Sequence, residues 1–399
     1  GEEVLLTLEV PVGGRCAHTR PARRLPQDDS VGTPLLRHLG RNGDERPREI
    51  AMVIAGLRTR HSTETYFTAS APTRPGCRAG PANTDPAAPR RGPARIGEDA
   101  GMDALRTPDS SFDGIPDFPW TPHYATTADG LRVAYIDEGP TDGPVALLLH
   151  GEPSWSYLYR TMIPVFVAAG YRTVVPDLVG FGRSDKPRLE LDYTYARHVE
   201  WMRSVLFDTL DLRDVTFVGQ DWGGLIGLRL VAEHPDRFAR VCAANTGLPD
   251  GTRRLPEAWW RFRDFVARTP DLPIGMLVSR GVTEPMAPEV VAAYEAPFPH
   301  ADFKAGARAF PDLIPQSDDN PATPDNQRAW SVLERWEKPF LCAFSDRDPI
   351  TAGGDRELLR RIPGTAGQPH TVIEGGGHFL QEDRGVELAD VIVGWAGAA

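Results

Sequence analysis

The sequence predicts an α/β protein: a mostly parallel sheet with helices on both faces and a helical insertion before its last strands. Three observations predict it. Short apolar runs such as 145–149 recur between amphipathic helical stretches, the pattern of strands buried on both faces. The alternation stops between residues 248 and 335 and then resumes. The residues best suited to chemistry each follow an apolar run, which gathers them on the carboxyl edge of one sheet.

The chain has 399 residues and is 41% hydrophobic, enough for one large core or two ordinary ones. A net charge of −11 argues against nucleic acid or an anionic membrane as the main partner. Cys16, Cys77, Cys242 and Cys342 lie far apart, without metal-ligand spacing, and the last two fall in apolar runs expected to bury them as free thiols. No metal or cofactor is implied. No stretch reaches the apolar length of a membrane span, and the start carries Glu2 and Glu3 rather than a secretory signal, so a cytoplasmic setting is expected.

Residues 1–101 differ from the rest. They are rich in Arg, Pro, Ala and Gly and are expected to form a disordered extension, with the native start at Met102. The remainder divides into a first core part at 102–248, a helical cap at 249–335 and a second core part at 336–399. In order, the pattern predicts strands over 131–136, 145–149, 172–175, 215–218 and 241–244, with helices over 159–169, 195–210 and 225–232 between them. After the Pro- and aromatic-rich cap come strands over 339–344 and 370–373 and a last helix over 386–395.

The stretch Val215-Thr-Phe-Val-Gly219-Gln220-Asp221-Trp222-Gly223-Gly224 carries the chemistry. A strand, then small-x-nucleophile-x-small, then a helix is the pattern of a nucleophile elbow, here with Asp in the nucleophile position. Side chains beside so tight a turn must be small, and the residue at its apex is held in a strained conformation that lifts it off the sheet. A carboxylate there attacks carbon directly and leaves an ester that must be hydrolysed. The same Asp at a strand-to-helix junction also suits plain helix capping. What favours chemistry is the order Asp221, Asp348, His378, which is nucleophile, acid and base along chains of this kind. A carboxylate nucleophile needs no base, so His378 serves the second step by taking a proton from water, and Asp348 orients the imidazole. Asp346 is a rival acid. The loop His150-Gly151-Glu152-Pro153 follows a strand, and the backbone N–H groups of Glu152 and Trp222 are the expected oxyanion donors. Trp222, with an indole N–H that donates and cannot accept, suits a departing anion.

From Met102 onward the chain resembles the haloalkane dehalogenases, the branch with its acid after the later strand. The motifs are His150-Gly-Glu-Pro-Ser-Trp-Ser-Tyr-Leu-Tyr159, Gly180-Phe-Gly-Arg-Ser-Asp-Lys-Pro187, Gln220-Asp-Trp-Gly-Gly224, Ala296-Pro-Phe-Pro299 and His378-Phe-Leu-Gln-Glu-Asp383. The resemblance implies an α/β-hydrolase fold with an inserted helical cap, and hydrolysis of carbon–halogen bonds through an alkyl ester on Asp221. The partners are then a small apolar halogenated substrate, water and the halide product. It further implies that Trp222 and a cap tryptophan hold the halide. Trp259 and Trp260 lie near the expected place, whereas a gap-free reading toward Pro270 puts Phe262 there, a residue with no N–H. Leu225, Phe262, Phe310, Pro311, Ile350 and Phe379 are the implied pocket residues, each equally suited to core packing.

Two other functions compete. An epoxide hydrolase of the same fold uses a carboxylate nucleophile but needs acids on the cap, usually two tyrosines, and Tyr294 stands alone between residues 248 and 335. A non-catalytic ligand binder of this fold would be expected to have a broken triad, and all three positions are filled.

Overall fold

The computed structural model describes residues 102–397. The expectations for residues 1–101 lie outside them. The central sheet has eight strands: β1 (His123–Thr126), β2 (Arg132–Glu138), β3 (Val145–Leu149), β4 (Arg172–Pro176), β5 (Val215–Gln220), β6 (Phe238–Ala244), β7 (Phe340–Ser345) and β8 (Thr371–Ile373). Their spatial order is β8-β7-β6-β5-β3-β4-β2-β1. β2 runs antiparallel to both β1 and β4, and every other pairing is parallel. β3 and β5 lie side by side at the centre with Leu149 opposite Gly219, so the loops after them open at the same place. All six residues of β5 are buried, as apolar helix layers on both faces require.

The helices of the core are α1 (Ile163–Ala168), α2 (Tyr195–Arg203), α3 (Trp222–Glu233), α9 (Gly354–Arg361) and α10 (Leu380–Gly397). Between β6 and β7 the chain leaves the sheet for α4 (Glu257–Arg268), α5 (Ile274–Arg280), α6 (Pro288–Glu295), α7 (Ala305–Leu313) and α8 (Thr323–Leu333). α4 packs on α7, α5 on α6, and α8 returns against α3. Two apolar clusters fill the two sides of the sheet, one around α2, α3 and the insertion, the other around α1 and α10. Among the described residues no helix is long and apolar enough to cross a membrane.

Several boundaries differ from the pattern reading. The helix expected over 159–169 is a 3-10 turn at Ser156–Tyr159 followed by α1, which starts where Pro164 can occupy the first turn without losing a hydrogen bond. The helix expected over 195–210 turns π-helical at Ser204–Thr209, with Leu210 N–H bonding Val205 O. β2 extends past 136 because Asp137 is paired with Arg172 across the strands. α10 begins at Leu380, before the expected 386, and breaks at Arg384 (φ −143°, ψ 34°). Beyond the break, a Cβ on Gly385 would sit 2.2 Å from Thr161 Oγ1. Two elements gave no signal. β1 is an edge strand with mostly exposed residues, and α9 is charged around most of its circumference, with Leu358 as its one buried side chain.

Candidate active site

The site begins where β5 ends. Asp221 has φ 50° and ψ −127°, a conformation that costs a non-glycine residue about 1–3 kcal/mol. Its backbone is fixed from three directions: Asp221 N–H donates to Asn245 O (2.9 Å), and its own carbonyl accepts from Thr246 Oγ1 (2.8 Å) and Leu225 N–H (3.1 Å). The surrounding glycines are a steric requirement. A Cβ on Gly223 would lie 2.0 Å from Leu149 O, and one on Gly151 would lie 2.3 Å from Asp221 Oδ1.

Two loops bring their side chains to this apex. His378, on the loop after β8, places Nε2 3.6 Å from Asp221 Oδ2 and Nδ1 3.1 Å from Asp348 Oδ2. Asp348, on the loop after β7, is buried and further held by Ile350 N–H (2.8 Å) and the Thr351 hydroxyl. Burial alone would raise the Asp348 carboxyl. The neighbouring imidazole and these donors outweigh it and hold the group below its ordinary value. For His378, burial disfavours the imidazolium, but Asp348 and Asp221 reverse the balance and raise the ring to about 10. The rival acid, Asp346, accepts from Gly375 N–H (2.7 Å) instead.

Asp221 Oδ1 accepts the backbone N–H of Glu152 at 2.8 Å. Trp222 is the first residue of α3, where backbone N–H groups have no intrahelical acceptor. Of the two expected oxyanion donors, Glu152 N–H bonds the Asp221 carboxylate and Trp222 is its chain neighbour. His150 is buried, its Nδ1 2.9 Å from Gly151 O and its Nε2 accepting Leu178 N–H (3.0 Å), and burial lowers its proton affinity. It shapes the loop as a neutral ring. The Glu152 side chain is buried, with Oε1 lacking a hydrogen-bond partner. Burial first, and then the Asp221 charge, push its carboxyl well above the usual range.

The Trp222 ring is buried, its Nε1 has no hydrogen-bond partner among the described residues, and it stacks on Phe310 at 4.4 Å with Tyr195 edge-on at 5.0 Å. Phe379 meets the His378 ring at 4.8 Å, Leu225 bonds to Asp221, and Ile350 bonds to Asp348. Phe310, Phe379, Leu225 and Ile350 thus adjoin the candidate catalytic groups directly. Pro311 is buried beside Phe310 in α7. Trp259, Trp260 and Phe262 all stand on α4, the helix packed on α7. Trp259 and Trp260 contact each other edge-on at 4.9 Å, and the Trp260 indole nitrogen is buried without a partner. The rings around Trp222 are Tyr195 and Phe310, not these two, among the described residues.

Two supporting residues were not assigned such a part from sequence. Gln220 Nε2 donates to His378 O (3.1 Å). Asn245 Nδ2 donates to Ser345 Oγ, Gly377 O and His378 O, while its Oδ1 accepts Ser345 N–H. Each sits at a strand end, the one signal that the sequence offers for them. Among the described residues no group of His, Cys, Asp and Glu is arranged to hold a metal ion.

A family model described as the alpha/beta hydrolase fold matches residues 144–385. The fold and the site therefore define an α/β hydrolase with an aspartate at the elbow. A haloalkane dehalogenase of Psychrobacter cryohalolentis is 54% identical over 296 residues, 73% of this chain and 97% of that protein. One of Mycobacterium marinum is 53% identical over 74% of this chain and 100% of that protein. Among solved structures, the tetrameric haloalkane dehalogenase DpaA of Paraglaciecola agarilytica is 38% identical, with a TM-score of 0.68 over 72% of this chain and 97% of that one. The chain belongs to the haloalkane dehalogenases, hydrolases that act on carbon–halide bonds.

Proposed function

We propose that the chain hydrolyses haloalkanes to alcohol, halide and a proton through an ester on Asp221. One observation carries the reading: an aspartate at a strained apex holds one carboxylate oxygen in a backbone N–H bond and the other beside a histidine–aspartate pair. Asp221 Oδ2 attacks the alkyl carbon, the new C–O bond forms as the C–X bond breaks, and the halide leaves with the bonding pair. The Trp222 indole N–H receives it, a role supported by the absence of any protein acceptor for that buried group.

Water then adds to the ester carbonyl carbon, its proton passing to His378 Nε2. The negative charge develops on Oδ1, where Glu152 N–H already donates, with Trp222 N–H as the second expected donor. The acyl–oxygen bond breaks, the departing alkoxide takes the hydroxyl proton of the tetrahedral intermediate and leaves as alcohol, the carboxylate is restored, and His378 releases its proton to solvent. The electrostatics suit this order of events. In the resting site two carboxylates favour the imidazolium. Esterification removes the charge of one of them, so the ring's proton affinity falls when a base is needed.

The geometry does not favour epoxide opening. The one cap tyrosine, Tyr294, is buried with its hydroxyl on Glu382 rather than toward Asp221. For the second halide donor, the unpartnered Trp260 nitrogen supports Trp260 over Trp259 and the N–H-less Phe262. Halide release from 1-bromobutane and 1,2-dibromoethane, beside diol formation from styrene oxide, tests the assignment. Halide release that disappears in Asp221→Asn is the expected result. Turnover surviving that substitution, or diol as the main product, overturns it.

A further inference from the structure

The loop that carries His378 does not stand alone. On one side it meets residues 281–284, the turn after cap helix α5. Phe379 N–H donates to Gly281 O (3.2 Å), and a Cβ on Gly377 would lie 2.4 Å from that same oxygen. The contact is backbone against backbone, too close for any side chain between. Across it lies Asp383, in the first turn of α10 just before the break at Arg384. Its carboxylate accepts the backbone N–H groups of Gly377 (2.8 Å), Thr283 (3.0 and 3.1 Å) and Glu284 (3.2 Å), and the Thr283 hydroxyl, with its single proton, lies 3.0 Å from it. Thr283 Oγ1 also lies 2.6 Å from Gly375 O. Gly375 and Gly377 flank the turn into His378.

We propose that Asp383 is a positioning residue: it locks the cap turn at 281–284 onto the His378 loop and so fixes the imidazole for ester hydrolysis. An ionised carboxylate offers acceptors and no donor, so it can take all of these bonds at once. An asparagine would turn an NH2 group toward N–H donors and lose about half of them. The clamp joins two elements with different tasks, since the cap turn belongs to the segment over the substrate and the loop carries the base. Small displacements of a catalytic group are costly because reaction needs near-attack geometry. Alkylation by Asp221 uses neither loop, whereas ester hydrolysis uses His378. The inference rests on the reading of His378 as the base.

The test uses the full chain carrying Asp383→Asn or Thr283→Val, with 1,2-dibromoethane as substrate. The halide burst reports alkylation, steady-state kcat and KM report turnover, and intact mass reports the trapped ester. We expect the burst rate to stay within about twofold of the parent. Turnover should fall about tenfold in Asp383→Asn and less in Thr283→Val, with KM falling alongside and alkyl-enzyme accumulating. Thr283→Val keeps every backbone donor and carries the test if Asp383→Asn does not fold. A parallel fall of burst and turnover, or a loss of thermal stability with both rates unchanged, overturns the proposal. His378→Phe separates the two failures. Ester hydrolysis at the parent rate in that variant removes the base assignment and this proposal with it. A trapped ester there, with normal turnover in both clamp variants, removes this proposal alone.

Discussion

The sheet edge and the helical cap face the same site but constrain it by different means. At the edge, the backbone sets the positions. β3 and β5 are neighbours in register, their loops open side by side, and Asp221 is pinned through its own amide and carbonyl rather than its side chain. In the cap, side-chain packing sets the positions. α4 lies on α7, Phe310 of α7 stacks on Trp222, and the cap is fastened to the core by polar contacts at residues 382 and 383. The proposed chemistry thus falls where the backbone is held most tightly, and the proposed fit to substrate and halide where side-chain packing sets the positions.

The largest effect is expected at the edge. Asp221→Asn should lower halide release by about 10⁴-fold or more, since no nucleophile remains. His378→Phe should keep a stoichiometric halide burst while steady turnover falls about 10³-fold or more, because the ester forms and is not hydrolysed. Mass spectrometry of the quenched protein would find the alkyl group on Asp221. A burst lost together with turnover would mean that the two steps do not divide as the geometry suggests.

The cap's attachment comes next. Glu382 is bound by both arms of the buried Arg160, with a third bond from Tyr294 of α6. Arg160 also lies over the Tyr157 ring at 4.1 Å. Glu382→Leu leaves a buried guanidinium without its anion and should cost about 3–5 kcal/mol. Thermal or urea unfolding reads this directly, and an unchanged midpoint would mean that the cap is held elsewhere.

This contrast also explains what the sequence made legible. The elbow was readable because tight backbone approach leaves glycines at fixed spacing. Asp348 stood out from Asp346 in the sequence because it lies beside Pro349-Ile350; in the structure its carboxylate lies 3.1 Å from His378 Nδ1 and accepts Ile350 N–H. The cap donors were not readable in the same way. A helix bearing Trp259, Trp260 and Phe262 offers three aromatic side chains within one turn, and a phase shift of one residue changes which one faces inward. The supporting roles of Gln220 and Asn245 were not readable for a related reason: their amides bond to backbone carbonyls, a use that leaves no pattern in residue type. α9 was missed because its one buried residue gives no periodicity.

Halide affinity sharpens the comparison across the two regions. Trp222→Phe keeps the ring on Phe310 and removes the N–H, and should weaken bromide binding about ten- to a hundredfold, as for a hydrogen bond to a charged group. Bromide quenching of the remaining indoles is the measurement. Trp260→Phe should weaken binding less, and Trp259→Phe least. A Trp259→Phe loss as large as that of Trp222→Phe would reverse the assignment within the cap.

The smallest effect on rate is expected at Glu152, and its value lies in the sign of the pH dependence. Burial and the Asp221 charge raise its carboxyl, so the folded protein holds that proton to higher pH than the unfolded chain does. A group with a raised folded-state pKa contributes stability at low pH and loses it as pH rises from its unfolded value through its folded one. His378 acts in the same direction at higher pH, its contribution fading between about 6.5 and about 10. Glu152→Gln keeps the shape of the side chain and removes its titration, so turnover near pH 7 should change by no more than about threefold. Its unfolding free energy should depend less steeply on pH than the parent's above about 4.5, the ordinary glutamate value. A large loss of turnover would mean that the side chain acts as an anion or takes part in the reaction. An unaltered slope would mean that Glu152 titrates alike in both states despite its burial.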